Sequence, residues 1–203
     1  MLVNIDKMMR LKPDDKQRLV EKIRSGAAKA FRAHGYDAVN LDAVMKQSGL
    51  TRGAFYAHYK SKQALFADVV RHEHPLLRML EERGGADART LYCEMCTIFE
   101  GYLGPDNLEE VFSGCSLAAL IGDVVRAGPE VKAGFDQAMQ DTCAAMALGQ
   151  DHPAKHYLPA LVLATAAVRN AQASADPDLR SEILNGAHSA FLALLPKPAE
   201  APA

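Results

Sequence analysis

Residues 40–65 read NLDAVMKQSGLTRGAFYAHYKSKQAL. Leu41, Val44 and Met45 share one helical face before Gly49 and Leu50 interrupt the period. Thr51 then opens a second short helix whose apolar anchors are Phe55 and Tyr59. Two short helices joined by a glycine-containing turn, the second basic and aromatic, have the layout of a helix-turn-helix. Asn40, Thr51 and Ser61 each stand where a side-chain oxygen can accept the unpaired N–H groups of a first helical turn.

Upstream of this stretch, Leu19, Ile23, Ala27, Ala30 and Phe31 recur at helical spacing as far as Gly35. Asp14 is placed to cap that helix, with Gln17 three residues on, and Gly35 to stop it. Residues 1–13 carry Lys7, Arg10 and Lys12 without periodicity and read as an arm. Downstream, Leu65, Phe66, Val69 and Val70 extend a fourth helix, which Pro75 must kink or break near 71–75 by removing a backbone donor.

The second half reads as helix after helix. Leu91, Met95, Ile98, Phe99 and Tyr102 form one stripe, and a shorter piece runs from Ser116 to Arg126. Val131, Phe135, Ala138, Met139 and Met146 mark another helix, and 156–173 is alanine-rich. The last helix opens at Asp176-Pro177 with Leu179, Ile183, Ala187, Phe191 and Leu194 expected inward. No alternating strand pattern bounded by hairpin turns appears, so the fold class is all-α. The segment PKPAEAPA at 196–203 has the composition of a disordered tail.

The chain has 203 residues, 49% of them hydrophobic, enough for one or two ordinary cores. Its longest nearly uncharged apolar run, 158–168, is too short for a membrane span, and four cysteines are too few for a disulfide scaffold. No secretory signal is visible, so a cytoplasmic protein without a membrane partner is the expectation. The overall charge of −2 conceals an asymmetry: residues 1–83 hold 16 Lys and Arg against 10 Asp and Glu, while 84–203 hold 7 against 15. A basic front on an acidic body suits a local phosphate-binding footprint. No phosphate-cradling glycine motif, metal set or nucleophile–base arrangement stands out, so neither an enzyme nor a cofactor or metal is expected.

The run GLTRGAFYAHYKSKQAL after a helix beginning AVMKQS resembles the tetracycline-repressor (TetR) family of bacterial transcriptional regulators. The resemblance covers about 19–66 and rests on Gly35-Tyr36, Gly49-Leu50-Thr51, Phe55-Tyr56, His58-Tyr59 and Ser61-Lys62. It implies a three-helix DNA-binding domain at 1–60 and a helical ligand-binding and dimerisation domain at 61–195, whose first helix connects the two. Met45 stands where many members have a small residue, and Asn40 where threonine is usual.

On that likeness, Thr51 would cap and meet a phosphate, and Arg52 could present two prongs to a guanine. Gly53 and Ala54 are small enough for the backbone to approach base edges. Tyr56, His58, Lys62 and Lys46 would hold phosphates, Tyr56 alternatively packing on a thymine methyl. The partner would be double-stranded DNA bearing a palindromic operator, read by a homodimer formed through helices about 156–174 and 177–195. Alanines 160, 164, 167 and 171 would let those helices approach across the interface, or pack inside one subunit.

An apolar or aromatic ligand is likewise implied, with Met95, Phe99, Tyr102, Phe112, Leu117, Ile121, Phe135 and Met139 as lining residues or as ordinary core. Cys115, near a helix start, offers a different trigger, a thiol sensing oxidants or electrophiles. The alternative for each cysteine is that of a small buried apolar residue.

Overall fold

The computed structural model describes residues 13–104 and 115–198, and every regular element among them is helical. Residues 1–12 of the arm expected at 1–13, most of the expected tail, and Phe112 lie outside the described residues. In order, the elements are α1 (Pro13–His34), α2 (Leu41–Gln47), α3 (Arg52–Tyr56), α4 (Lys62–His72), α5 (Pro75–Glu81) and α6 (Ala88–Tyr102). Then come α7 (Ser116–Ala119), α8 (Ile121–Arg126), α9 (Pro129–Met146), a 3-10 turn (Ala154–Tyr157), α10 (Leu158–Ala173) and α11 (Pro177–Leu194). Among the described residues, no helix is long and apolar enough to cross a membrane.

The described residues form two compact units. One takes those up to Glu73 together with Leu120–Phe135; the other takes those of His74–Ala119 and Asp136–Ala203. The first therefore contains α4 as well as the three helices before it.

Its local structure follows from side chains at the helix ends. Asn40 accepts from Asp42 N–H at 2.9 Å, Thr51 from Ala54 N–H at 3.2 Å, and Ser61 from Ala64 N–H at 3.0 Å. Between α2 and α3, Gly49 takes φ +67°, which a Cβ would strain. That turn lets Gly49 N–H reach Lys46 C=O at 3.1 Å and Leu50 N–H reach Met45 C=O at 2.8 Å, satisfying two of the last carbonyls of α2. The start of α1 departs from expectation. Pro13 is its first residue, so Asp14 lies inside the first turn rather than capping it. A proline needs no N–H partner there, and Asp14 and Asp15 still favour the positive helix end.

The core of this unit is apolar and aromatic. Ile23, Phe31, Met45, Phe55, Leu65, Phe66 and Val69 are each at most 2% exposed. Phe31 meets Phe66 edge-on at 5.1 Å between centroids, and Tyr36 covers Phe66 at 4.6 Å. Gly134 of α9 lies so near α4 that a Cβ would stand 2.9 Å from the Ala67 carbonyl oxygen. A partly buried polar network adds direction. Tyr59 donates to Asp68 at 2.6 Å, and Arg24 lies 2.9 Å from Glu73 and 3.6 Å from Asp68.

Helix α4 ends at His72 and α5 begins with Pro75, with Glu73 and His74 between them. His74 is extended at φ −138° and ψ 127°, the region that a following proline enforces.

In the second unit α10 packs along α11. Alanines 160, 164, 167 and 171 are at most 6% exposed in the single chain, so they are inside the subunit and do not form the surface expected of a dimer seam. Small side chains permit close approach, and here that approach is made within the chain. On α11 the inward residues are Leu184, Ala187 and Phe191, with Phe191 stacked on Phe99 at 4.2 Å. Leu179 and Leu194 were expected inward but are 47% and 45% exposed. Arg83 donates to the carbonyls of Leu80, Leu91 and Ala145, joining α5, α6 and α9 at their backbones. The expected single piece from Ser116 to Arg126 is two helices, interrupted at Leu120.

Tyr59→Phe keeps the ring but removes the donor to Asp68. A hydrogen bond to a charged group contributes roughly 1.5–3 kcal/mol, and Arg24 remains beside Asp68, so the expected loss of stability is about 1–2 kcal/mol. Urea unfolding measures it, and an unchanged midpoint would dismiss this role for the network.

Candidate nucleic-acid interface

Helix α3 has only five residues and could not persist alone, because isolated short helices do not repay their nucleation. Two faces of the segment are set differently. Ala54, Phe55 and Tyr59 are buried, with Phe55 and Tyr59 stacked at 5.7 Å. Thr51, Arg52, Gly53 and Tyr56 are exposed, Tyr56 by 53%. His58 is half-buried and Lys46 exposed.

This division corrects one expectation. Ala54 was grouped with the residues that admit base edges, but at 5% exposed its methyl faces the core and leaves the outward set. Gly53 stays in it. A Cβ there would meet nothing nearer than the Thr51 hydroxyl at 3.8 Å, so the chain's own packing does not require glycine.

The outward side chains also have partners. The Arg52 guanidinium lies 3.2 Å from Asp42 and 5.8 Å from the centroid of the Tyr56 ring. A hydrogen bond with Tyr56 and the charge of Asp42 both hold it more firmly protonated than usual. Lys62, at the first position of α4, sits over the Tyr36 ring at 4.4 Å and donates to the Asp37 carbonyl at 3.4 Å. Burial there lowers its pKa, which the Asp37 charge partly opposes. Its ammonium is thus docked on the protein rather than extended, which sequence spacing did not reveal. Tyr36 was a motif residue without an assigned task, and its ring provides the dock.

The residues expected around a ligand fall in both units. Met95 and Phe99 are fully buried, Tyr102 is 5% exposed and Leu117 2%, while Met139 is half-buried. Ile121 and Phe135 belong to the first unit, and Ile121 is 37% exposed. A groove of about 430 Å³ in the second unit is lined by Met79, Arg83, Cys93, Glu94, Thr97 and Ile98 among others, and takes in none of the expected residues. Cys115 is 1% exposed, and its sulfur accepts from the Tyr102 hydroxyl at 3.2 Å. Burial pushes the Cys96 thiol upward and the Cys143 thiol up to about 11.

Comparison with known proteins converges on the same segment. The family model of bacterial regulatory proteins, tetR family, matches residues 23–69. A stretch of 62 residues, 30% of this chain, is 29% identical to the HTH-type transcriptional regulator YdgC of Bacillus subtilis, covering 32% of that protein. Another of 64 residues, 32% of this chain, is 30% identical to the HTH-type transcriptional repressor Rv1474c of Mycobacterium tuberculosis, covering 34% of it. The chain thus spans about a third of the length of these curated relatives.

The fold extends further than that likeness. The reduced form of E. coli NemR superposes with a TM-score of 0.69 at 16% identity, over 90% of this chain and 100% of that one. A complex of SmeT, the repressor of a Stenotrophomonas maltophilia multidrug efflux pump, with triclosan gives 0.57 at 21% identity, over 92% and 98%. Segment and fold agree: residues 23–69 match the tetR family of bacterial regulatory proteins, and about 90% of the chain shares the fold of NemR and SmeT.

Proposed function

We propose that this protein is a sequence-specific DNA-binding repressor, read out by α3 and controlled by a small apolar or aromatic molecule. The observation that carries the DNA reading is the outward set Thr51, Arg52, Gly53 and Tyr56 on a helix whose other face is wholly buried. Such a helix offers donors, a cation and an aromatic edge to a groove while its anchor stays fixed. Gly53 strengthens the case. Glycine weakens a helix relative to alanine by roughly 0.5–1 kcal/mol, and no neighbour in the chain demands it. Close approach by a duplex accounts for the missing methyl.

The reading head proposed here is residues up to about 60, with 61–195 as the controlling body. Dimerisation is assigned to α10 and α11. Their alanines are buried internally, but Leu158, Val162, Leu179, Leu192 and Leu194 remain 37–48% exposed. Burying these against a second copy supplies the apolar area that the alanines do not. Two copies then present two heads to a palindrome. Lys46, His58 and Lys62 are assigned to phosphates, Lys62 exchanging the Tyr36 ring for the DNA backbone. A thiol switch at Cys115 has less support, because a sulfur only 1% exposed leaves an oxidant little approach.

Selection from random duplexes with the purified protein should return two inverted half-sites. Tyr56→Ala should weaken binding to them about tenfold or more, while a wild-type protein that enriches no site would overturn the reading.

Gly53→Ala separates stability from recognition. The variant should gain up to about 1 kcal/mol of stability and yet bind the selected site at least about tenfold more weakly. Full affinity in the stabilised variant would remove the close-approach argument.

A ligand can release DNA only by favouring the arrangement that does not bind it. SmeT is seen bound to triclosan, so triclosan serves here as the trial probe. Calorimetry should find it binding free protein more tightly than operator-bound protein. Equal affinities would exclude it as a releasing ligand.

A further inference from the structure

Asp42 and Arg52 form an ion pair whose purpose is not stability. Asp42 Oδ2 lies 3.2 Å from Arg52 Nη1, and the two side chains are 57% and 67% exposed. Exposed pairs of this kind contribute little to folding. The pair is nonetheless well placed geometrically. Asp42 stands in the first turn of α2, where its N–H donates to Asn40 Oδ1 at 2.9 Å, so the backbone carrying the carboxylate is anchored by the cap. Arg52 stands at the first position of α3, and the Tyr56 ring lies beneath its guanidinium, 5.8 Å from the centroid. The carboxylate on Nη1 and the hydrogen bond with Tyr56 occupy two of the five guanidinium N–H donors and leave three for a base.

We propose that Asp42 is a specificity-determining residue, which holds one prong of Arg52 so that the other edge reads a single base and which also repels DNA of every sequence. The inference rests on the proposed reading of α3 as the DNA-contacting helix.

An unrestrained arginine can reach a phosphate as readily as a base, and phosphate contacts carry no sequence information. A guanidinium has five N–H donors in a rigid fork. With Nη1 engaged by the carboxylate and one N–H by Tyr56, three donors remain to meet guanine O6 and N7. The restraint also removes rotamer freedom before binding, so less is lost when the base contact forms. The carboxylate acts a second time through its charge. Close to a polyanion it opposes association whatever the sequence, which lowers binding to wrong sites as well as right ones. Asp42 thus trades affinity for discrimination.

The two effects have opposite signs, which makes the proposal testable in one experiment. Full-length wild type, Arg52→Ala, Asp42→Asn and Asp42→Glu are each put through selection from a random duplex library, followed by titration with single-base variants of the selected site. Arg52→Ala marks the base that Arg52 reads by losing preference there. Asp42→Asn should lower the preference at that same base about tenfold while binding random duplex about two- to fivefold more tightly at low salt. Asp42→Glu, which keeps the carboxylate, should retain most of the preference. Helical content by circular dichroism should match in all four, since neither residue is buried.

If Asp42→Asn keeps full preference at the base marked by Arg52→Ala, the proposal is overturned while the proposed function stands. If Arg52→Ala changes no base preference, the proposal fails for want of a reading arginine. If wild type itself selects no site, the proposed function fails first and this inference with it.

Discussion

The Asp68 carboxylate is the contact that joins the first unit's polar side chains, and the proposed reading head depends on it. It accepts from Tyr59 at 2.6 Å and faces Arg24 at 3.6 Å, and Arg24 in turn bonds Glu73 at 2.9 Å. Three segments meet there: α1, the residues just after α3, and α4. The charged side chains are only 17–25% exposed, so water screens them weakly, and losing one partner would leave a partly buried charge unbalanced. Tyr59 feels the same environment. Burial first, then the bond to Asp68, raises its pKa well above that of a free phenol, so the donor stays protonated. Its contribution is complete below the ordinary tyrosine range and is lost as pH rises from there through the raised value.

That constraint explains how a five-residue helix holds a fixed orientation, as its proposed role in recognition requires. Phe55 and Tyr59 tie the segment to the core by apolar contact, and the Tyr59 hydroxyl fixes its rotation by a directional bond. Apolar burial alone leaves a short helix free to roll, because it has no preferred direction. With rotation fixed, Arg52, Gly53 and Tyr56 stand outward and Ala54 inward. The exposed residues then need contribute nothing to folding, and glycine at 53 is tolerated because the anchor lies elsewhere.

Much of this was legible in the sequence because local chemistry dictates it. Asn40, Thr51 and Ser61 announce helix starts through short side-chain oxygens, and all three accept from first-turn N–H groups. Pro75 announces a break by lacking a donor, and α4 ends just before it. What escaped was the choice of partner. The alanines of α10 signalled close helix approach, but spacing cannot say whether the neighbouring helix belongs to the same chain. Leu179 and Leu194 fit an inward stripe by period, yet they are outward because Leu184, Ala187 and Phe191 already face the core. Lys62 was legible as a cation but not as one resting on Tyr36, because that contact spans 26 positions between a loop residue and a helix start. The ligand question was the least legible, since a buried apolar stripe has the same pattern whether or not it borders a cavity.

Glu73 links the polar network to the helix break. It closes α4, with its N–H donating to Val69 C=O at 2.9 Å, and its carboxylate holds Arg24. The next residue is extended because Pro75 follows, so the helix cannot lengthen past this point to relieve strain. Fraying at Glu73 would therefore remove the Arg24–Glu73 bond before the bond of Tyr59 to Asp68, which lies about one and a half turns further in. A partial loosening of this kind would free α1 from one of two carboxylates without releasing the recognition segment. Releasing that segment requires Asp68 itself to move, and Asp68 is adjacent in sequence to the fully buried Val69 and Val70. The last residue of α4 reaches the same carboxylate, His72 Nε2 standing 3.5 Å from Asp68, so the end of α4 and the Tyr59 anchor share one acceptor.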